Sequence, residues 1–276
     1  MADSESDNPN PPSRPNHAAP PDALDLYRLA VQHPLAEVAF IERCWAHYRG
    51  EDEMPLLLRE VFAGTAAVAA SWAQSDDQRQ AMAIELDAVT ATWAMDRFCE
   101  VDDLHVVISD VMDMYEPKVH VTVALNFSVL IYHDADALLG YLRHARSCLT
   151  ERGLLILDLF GGSGSRRPRT QTRRIDPDEG RFAPFEYTWE QRAYDPATAR
   201  IDCRIHFKLD DASKLSDRFV YDWRLWTPDE IIQLAAEAGF TTAELWCDDP
   251  EEPGRYAVTD QEPPVEDWVG YVVLAV

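Results

Sequence analysis

Lysine is scarce in this chain. Only Lys118, Lys208 and Lys214 occur among 25 basic residues, against 49 acidic ones, for a net charge of −24. Without a basic field to hold phosphate backbones or anionic headgroups, nucleic acid and membrane surfaces are excluded as general partners. Long apolar runs are missing too. No stretch nears the ~20 residues that span a bilayer. The first residues are acid, Asn and Pro with no apolar signal core, so a cytoplasmic protein is expected. Cys44, Cys99, Cys148, Cys203 and Cys247 form no C-x-x-C pair and no metal-ligand spacing. Buried thiols are therefore expected, and no metal site.

What is present suffices for a large core: 276 residues, 46% of them hydrophobic, enough for one domain with an insertion. Residues 1–22 hold six of the 18 prolines and almost no large apolar group, so a disordered tail is expected there, with a single folded domain over 23–276. Within 23–50, Leu24, Tyr27, Ala30 and Val31, then Val38, Ile41, Trp45 and Tyr48, recur at helical spacing and predict two helices.

Strand and helix patterns then alternate. Short apolar or β-branched runs at 55–61, 80–86, 104–108, 119–125 and 154–160 predict five strands. Helices are predicted between most of them, the last one capped by Asp134. The link over 109–118 is short for a helix. Such alternation implies a parallel sheet covered on both faces. Gly161 to Arg174, with its glycines, serines and five arginines, reads as a mobile surface loop that answers the protein's own acids. Three alternating runs follow: Phe185, Tyr187, Trp189; Ile201, Cys203, Ile205, Phe207; and Phe219, Tyr221, Trp223, Leu225. They predict a three-stranded antiparallel meander with one aromatic face, which together with the loop makes 161–226 an insertion expected to cover the site. Thr227, Pro228, Glu230 and Gly239 mark a capped helix, followed by strands at 241–246 and 268–276 on either side of an acidic loop.

The informative segment is Arg59-Glu60-Val61-Phe62-Ala63-Gly64-Thr65-Ala66, where a buried strand turns into a helix. In open α/β sheets ligands bind at such turns. Glu85, at the end of the second strand, is placed to accept both hydroxyls of a ribose, and Asp110 follows the third strand. A dinucleotide fingerprint needs three glycines beside its pyrophosphate, and only Gly64 is present. A nucleoside without phosphates tolerates that loss better.

With these residues the chain resembles the class I S-adenosylmethionine (SAM)-dependent methyltransferases over roughly Leu24 to Val276. Glu60 matches the acid of the acid-x-Gly-x-Gly-x-Gly motif and Gly64 its middle glycine, while Phe62 and Ala66 replace the outer two. With Asp87 and Trp93 downstream, the segment looks closest to a bacterial subgroup with an E-x-F-x-G-T-A version. The resemblance implies a Rossmann-like, seven-stranded, mostly parallel sheet with an antiparallel last strand. It implies that Glu60, Phe62, Ala63, Gly64 and Thr65 meet the methionine part of SAM. Glu85 would bind the ribose, Leu86 would pack near the adenine, and Asp110 with the Val111 backbone would hold its amine and ring nitrogen. Asn126, Phe127 and Ser128 would line the transfer cleft.

Phe127 and Ser128 stand where enzymes methylating adenine or glutamine amides carry prolines, which disfavours that subclass. Tyr132 and Tyr221 are the expected catalytic side chains, and Trp189 and Trp223, with Ser128, the expected acceptor contacts. The expected activity is methyl transfer from SAM to a small molecule by a monomer or homodimer. The alternatives are a non-catalytic SAM-binding protein and a nicotinamide oxidoreductase. Gly161 to Ser165 lacks the last glycine of a hydrolase nucleophile elbow and the GK[ST] of a phosphate loop. His133-Asp134 lacks further ligands at helical spacing and reads as a helix cap.

Overall fold

A computed structural model describes residues 22–177 and 182–276. The expected 1–22 tail therefore lies outside the described residues except for Asp22. Two helices come first: α1 (Ala23–Val31), N-capped by Asp22, whose side chain accepts the Asp25 N–H, and α2 (Pro34–Arg49). The alternating region then supplies β1 (Leu57–Val61), α3 (Ala67–Ala73), β2 (Gln80–Glu85), α4 (Ala88–Arg97), β3 (Leu104–Ile108), β4 (Val119–Ala124), α5 (Ala135–Ser147) and β5 (Leu149–Gly161). Asp134 caps α5 by accepting the Ala137 N–H at 2.8 Å. The short link after β3 holds only a 3-10 turn at Val111–Asp113, capped by Asp110.

The region after β5 departs from expectation. Arg169–Ile175 is a strand, β6, preceded by a 3-10 turn at Ser163–Arg166, so the segment read as a loop is the edge of a second sheet. β6 pairs antiparallel with β7 (Phe185–Asp195), followed by β8 (Arg200–Lys208) and β9 (Lys214–Arg224), giving four strands in the order β6-β7-β8-β9 rather than a meander of three. An edge strand needs one partner and can carry polar side chains on its open side, which is why an Arg- and Thr-rich segment pairs here. Next come α6 (Pro228–Ala238), with the Thr227–Glu230 capping box, β10 (Thr242–Asp248), β11 (Tyr256–Thr259) and β12 (Trp268–Ala275). β11 arises inside the acidic loop by pairing with β10.

The central sheet thus has eight strands in the order β11-β10-β12-β5-β4-β1-β2-β3, not seven. β1 to β5 run parallel, and β12 is antiparallel to both β5 and β10. The order reverses between β1 and β4, the kind of switch point where open α/β sheets form a crevice at their carboxyl ends. One face is packed by α2 and α3, with Trp72, Trp45 and Ile41 buried there. The other is packed by α5 and α6 through Leu138, Leu142, Ile231 and Ala235. The inner face of the second sheet buries Phe185, Ile205 and Phe207 against Leu26 and Ala30 of α1. Its Trp223 reaches Phe127 after β4 and Phe160 near the end of β5, with ring centroids 6.2 and 6.4 Å away. The second sheet and α1 therefore stand over the carboxyl end of the parallel strands.

Candidate functional site

The turn after β1 is built without the glycines its shape favours. Phe62, Gly64 and Ala66 have φ of 53°, 52° and 55°. A left-handed backbone costs an L-residue with a Cβ roughly 1–2 kcal/mol. All three positions where the methyltransferase motif has glycine are left-handed here, although only one is glycine. Strain held at neighbouring positions marks a turn whose shape is fixed by its surroundings. Two acids fix it. The carboxyl of Glu60, 2% exposed, accepts the Ala69 N–H at 2.7 Å and so supplies a partner for the open first turn of α3. Glu85 accepts the Gly64 N–H at 2.7 Å through one oxygen and the Asp87 N–H at 2.9 Å through the other. Thr65 turns its hydroxyl to the Gln32 side chain, and Phe62 packs on Tyr141.

Glu85 and Asp110 lie at the ends of neighbouring parallel strands, β2 and β3. Around them three apolar side chains are left open: Leu86 is 67% exposed, Ile108 48% and Met112 37%. An atom placed where Gly64 would carry a Cβ meets nothing within 4 Å. The open glycine, the carboxylate with unused lone pairs and the apolar side chains running to Asp110 line an open surface groove along the carboxyl ends of β1, β2 and β3. The Glu60 carboxyl is pushed up to about 8, chiefly by burial.

A cavity of about 590 Å³ lies at the ends of the neighbouring strands β4 and β5. Its floor is Asn126, Phe127, Phe160 and Gly161, its roof the inner face of the second sheet with Trp189, Tyr221 and Trp223, and one side Tyr27 and Val31 of α1. Asn126 and Phe127 are left-handed, φ 58° and 61°, and both their N–H groups donate to the buried Asp158 on β5, at 2.8 and 2.7 Å. Burial pushes the Asp158 carboxyl up to about 8, against the pull of those two bonds. Tyr27 and Tyr221 both line the cavity, and burial holds the Tyr221 phenol well above its ordinary value, so it is a neutral polar group.

The structure thus leaves Gly64, Glu85, Leu86 and Asp110 open at the strand ends, with Phe62 half-buried and Glu60, Ala63, Thr65 and Val111 buried beneath, and it places Asn126, Phe127, Trp189, Tyr221 and Trp223 around the cavity. Two expected residues do not line the cavity. Tyr132 packs on Phe62 of the turn, with ring centroids 6.4 Å apart, and stacks on Tyr141 at 5.3 Å, and its phenol is raised by burial. Ser128 sits in the following 3-10 turn, with its hydroxyl buried and also outside the lining. Sequence reasoning missed Asp158, whose signal is one acid inside the buried run Leu-Leu-Ile-Leu-Asp-Leu-Phe. It also missed Tyr27, Arg169, Gln171 and Arg173 of the lining. The last three alternate with threonines, a strand signature hidden by their polarity.

No protein-family model matches the sequence, and no curated protein matches it. Solved structures do. The fold is shared with SAM-dependent methyltransferases. One is a SAM-dependent methyltransferase from Clostridium acetobutylicum: TM-score 0.65, 15% identity, covering 90% of this chain and 95% of that one. Another is the SAM-bound amino pentose methyltransferase of calicheamicin biosynthesis from Micromonospora echinaspora: TM-score 0.62, 15% identity, covering 91% and 94%. A third is a sugar N-methyltransferase from Streptoalloteichus: TM-score 0.61, 16% identity, covering 96% and 98%.

Proposed function

We propose that this chain is a SAM-dependent methyltransferase acting on a small molecule held in the 590 Å³ cavity. One observation carries the reading. The strained turn Phe62–Ala66, tied to Glu85 through Gly64, follows β1, whose neighbour β4 leads into Asn126 and Phe127 of the cavity lining at the switch point of the sheet. The E-x-F-x-G-T-A form of the turn belongs to the same reading. When bound, SAM supplies a methyl group that is already electrophilic, so the protein's task is alignment and exclusion of water.

Glu85 takes the ribose hydroxyls on the lone pairs its two backbone bonds leave free. Leu86, Ile108 and Met112 cover the faces of the adenine, and Asp110 accepts its amine. Glu60 holds the start of α3, and with it the Ala63–Gly64 backbone beneath the methionine part. Asn126 and Phe127, clamped by Asp158, separate groove from cavity. Trp189 and Trp223 exclude water above the acceptor, and the Tyr221–Tyr27 hydroxyls orient it. Asp267 is the single carboxylate lining the cavity among the described residues, and it is paired with Arg169. Alignment, rather than a strong base, is thus the catalytic means. A cavity of this volume suits a compact ligand. The acceptors named for two of the neighbours, an amino pentose and a sugar, are of the size it holds.

The test is calorimetry with S-adenosylhomocysteine and with NADH, followed by turnover of SAM with fractionated small metabolites. Micromolar binding of S-adenosylhomocysteine and none of NADH is expected. NADH binding without S-adenosylhomocysteine binding would overturn the assignment. Cofactor binding with no fraction promoting turnover would favour a non-catalytic SAM-binding protein.

A further inference from the structure

The cavity has a second chemistry besides its aromatic rings. In the β6–β7 register, Arg169, Gln171 and Arg173 stand opposite Gln191, Trp189 and Tyr187. Directly opposed residues share a face of a sheet, so β6 continues the aromatic inner face as a polar, cationic margin. The outer face of β6 carries Thr172, bonded to Thr188, and Arg174, paired with Asp176. The two arginines of the inner face differ. Arg169 is neutralised by Asp267. Arg173 lies 4.8 Å over the Tyr187 ring and donates to the Ala30 carbonyl of α1, with no carboxylate in ion-pair range among the described residues. The cavity lining therefore holds two arginines against one aspartate, one positive charge in excess, in a protein of net charge −24. The ring of Tyr187 and the Ala30 carbonyl fix the Arg173 fork while using few of its five N–H donors, and a fixed fork suits two-point recognition of an oxyanion.

We propose that the acceptor carries an oxyanion, a phosphate or a carboxylate, bound by Arg173, with its ring-shaped body against Trp189. This rests on the reading of the cavity as the acceptor site and names the class of acceptor. An acceptor bound in this way has a charged handle on the β6 side and presents its nucleophile toward Asn126 and Phe127, where the groove opens.

The experiment measures binding of 4-nitrophenyl phosphate, 4-nitrobenzoate and the neutral 4-nitrobenzyl alcohol at about 0.15 M salt, where charges beyond ~8 Å are screened. Each is titrated with and without saturating S-adenosylhomocysteine. At least tenfold tighter binding of an anionic probe is expected, the phosphate and carboxylate arms telling which oxyanion the fork prefers. Arg173→Gln should bring the anionic and neutral probes to within about threefold, Arg173→Lys should keep part of the preference, and Arg143→Gln on the remote face of α5 should keep all of it. Equal binding of neutral and anionic probes to the unmodified protein would overturn the proposal. So would a preference that survives in Arg173→Gln. If S-adenosylhomocysteine binds but the anion preference is missing, this inference alone fails. If the preference is present but S-adenosylhomocysteine does not bind, the methyltransferase reading fails and the anion site stands.

Discussion

Replacing Glu85 separates a cofactor ligand from a turn-holding acid. Each Glu85 oxygen already accepts one backbone N–H, from Gly64 at 2.7 Å and from Asp87 at 2.9 Å. Each keeps a further lone pair, so a ribose can place one hydroxyl on each oxygen. Charge-assisted hydrogen bonds are worth roughly 1.5–3 kcal/mol each before the loss of water is counted. Glu85 is only half-buried, so a net loss of about 2–3 kcal/mol is expected for Glu85→Ala. That is a roughly 30- to 150-fold weaker S-adenosylhomocysteine affinity. Glu85→Gln is informative because its shape is kept. Whichever way the amide turns, its NH2 faces a backbone N–H that needs an acceptor, so a loss of about tenfold or more is expected despite the conservative change. Isothermal calorimetry gives the affinities, and urea unfolding gives the cost of releasing the turn, about 1 kcal/mol. Affinities within threefold of the parent for both variants would refute the role, leaving Glu85 as an acid that merely holds Gly64.

Gly64→Val should abolish S-adenosylhomocysteine binding while lowering stability by only about 1–2 kcal/mol. No protein atom meets its Cβ, but a branched residue is forced into φ +52° and fills the open space; binding and unfolding assays together check this, and intact affinity would show the groove lies elsewhere. Trp223→Ala should cut turnover and cost on the order of 3–5 kcal/mol of stability with little change in cofactor affinity, since Trp223 is buried between the two sheets; an unchanged urea midpoint would contradict its packing. Stability should fall as pH rises from about 5 to 8. Glu60 and Asp158 keep their protons when folded up to about pH 8, whereas the unfolded chain releases them near pH 4. The folded state then holds the extra protons across that window, and each group removes on the order of 1 kcal/mol of stability per pH unit. Urea midpoints at three pH values read the slope, Glu60→Gln should roughly halve it because Asp158 remains, and a midpoint that climbs with pH would reverse the argument.

The sequence by itself determined what short-range chemistry decides. Alternating apolar runs located β1 to β5, and Asp134, Thr227 and Glu230 announced helix starts because a cap is made within three residues of the chain. Glu60, Gly64, Glu85 and Asp110 could be picked out because strand ends in such a sheet lie together whatever the loops do. Tertiary structure alone decided the rest. β6 carries little apolar pattern and β11 is a run of only four residues inside an acidic loop, and both become strands where β7 and β10 offer their backbones. The left-handed Phe62 and Ala66 are marked only by standing where the resembled motif has glycine, since neither is itself a residue that favours that backbone, and their surroundings impose it. Asp158 acquires its role from β4 lying beside β5, which brings its carboxyl to two N–H groups 31 and 32 residues earlier in the chain. The charge of the cavity was hidden for the same reason: Arg173 faces inward only once β6 has taken its register against β7, a long-range pairing that no local propensity encodes.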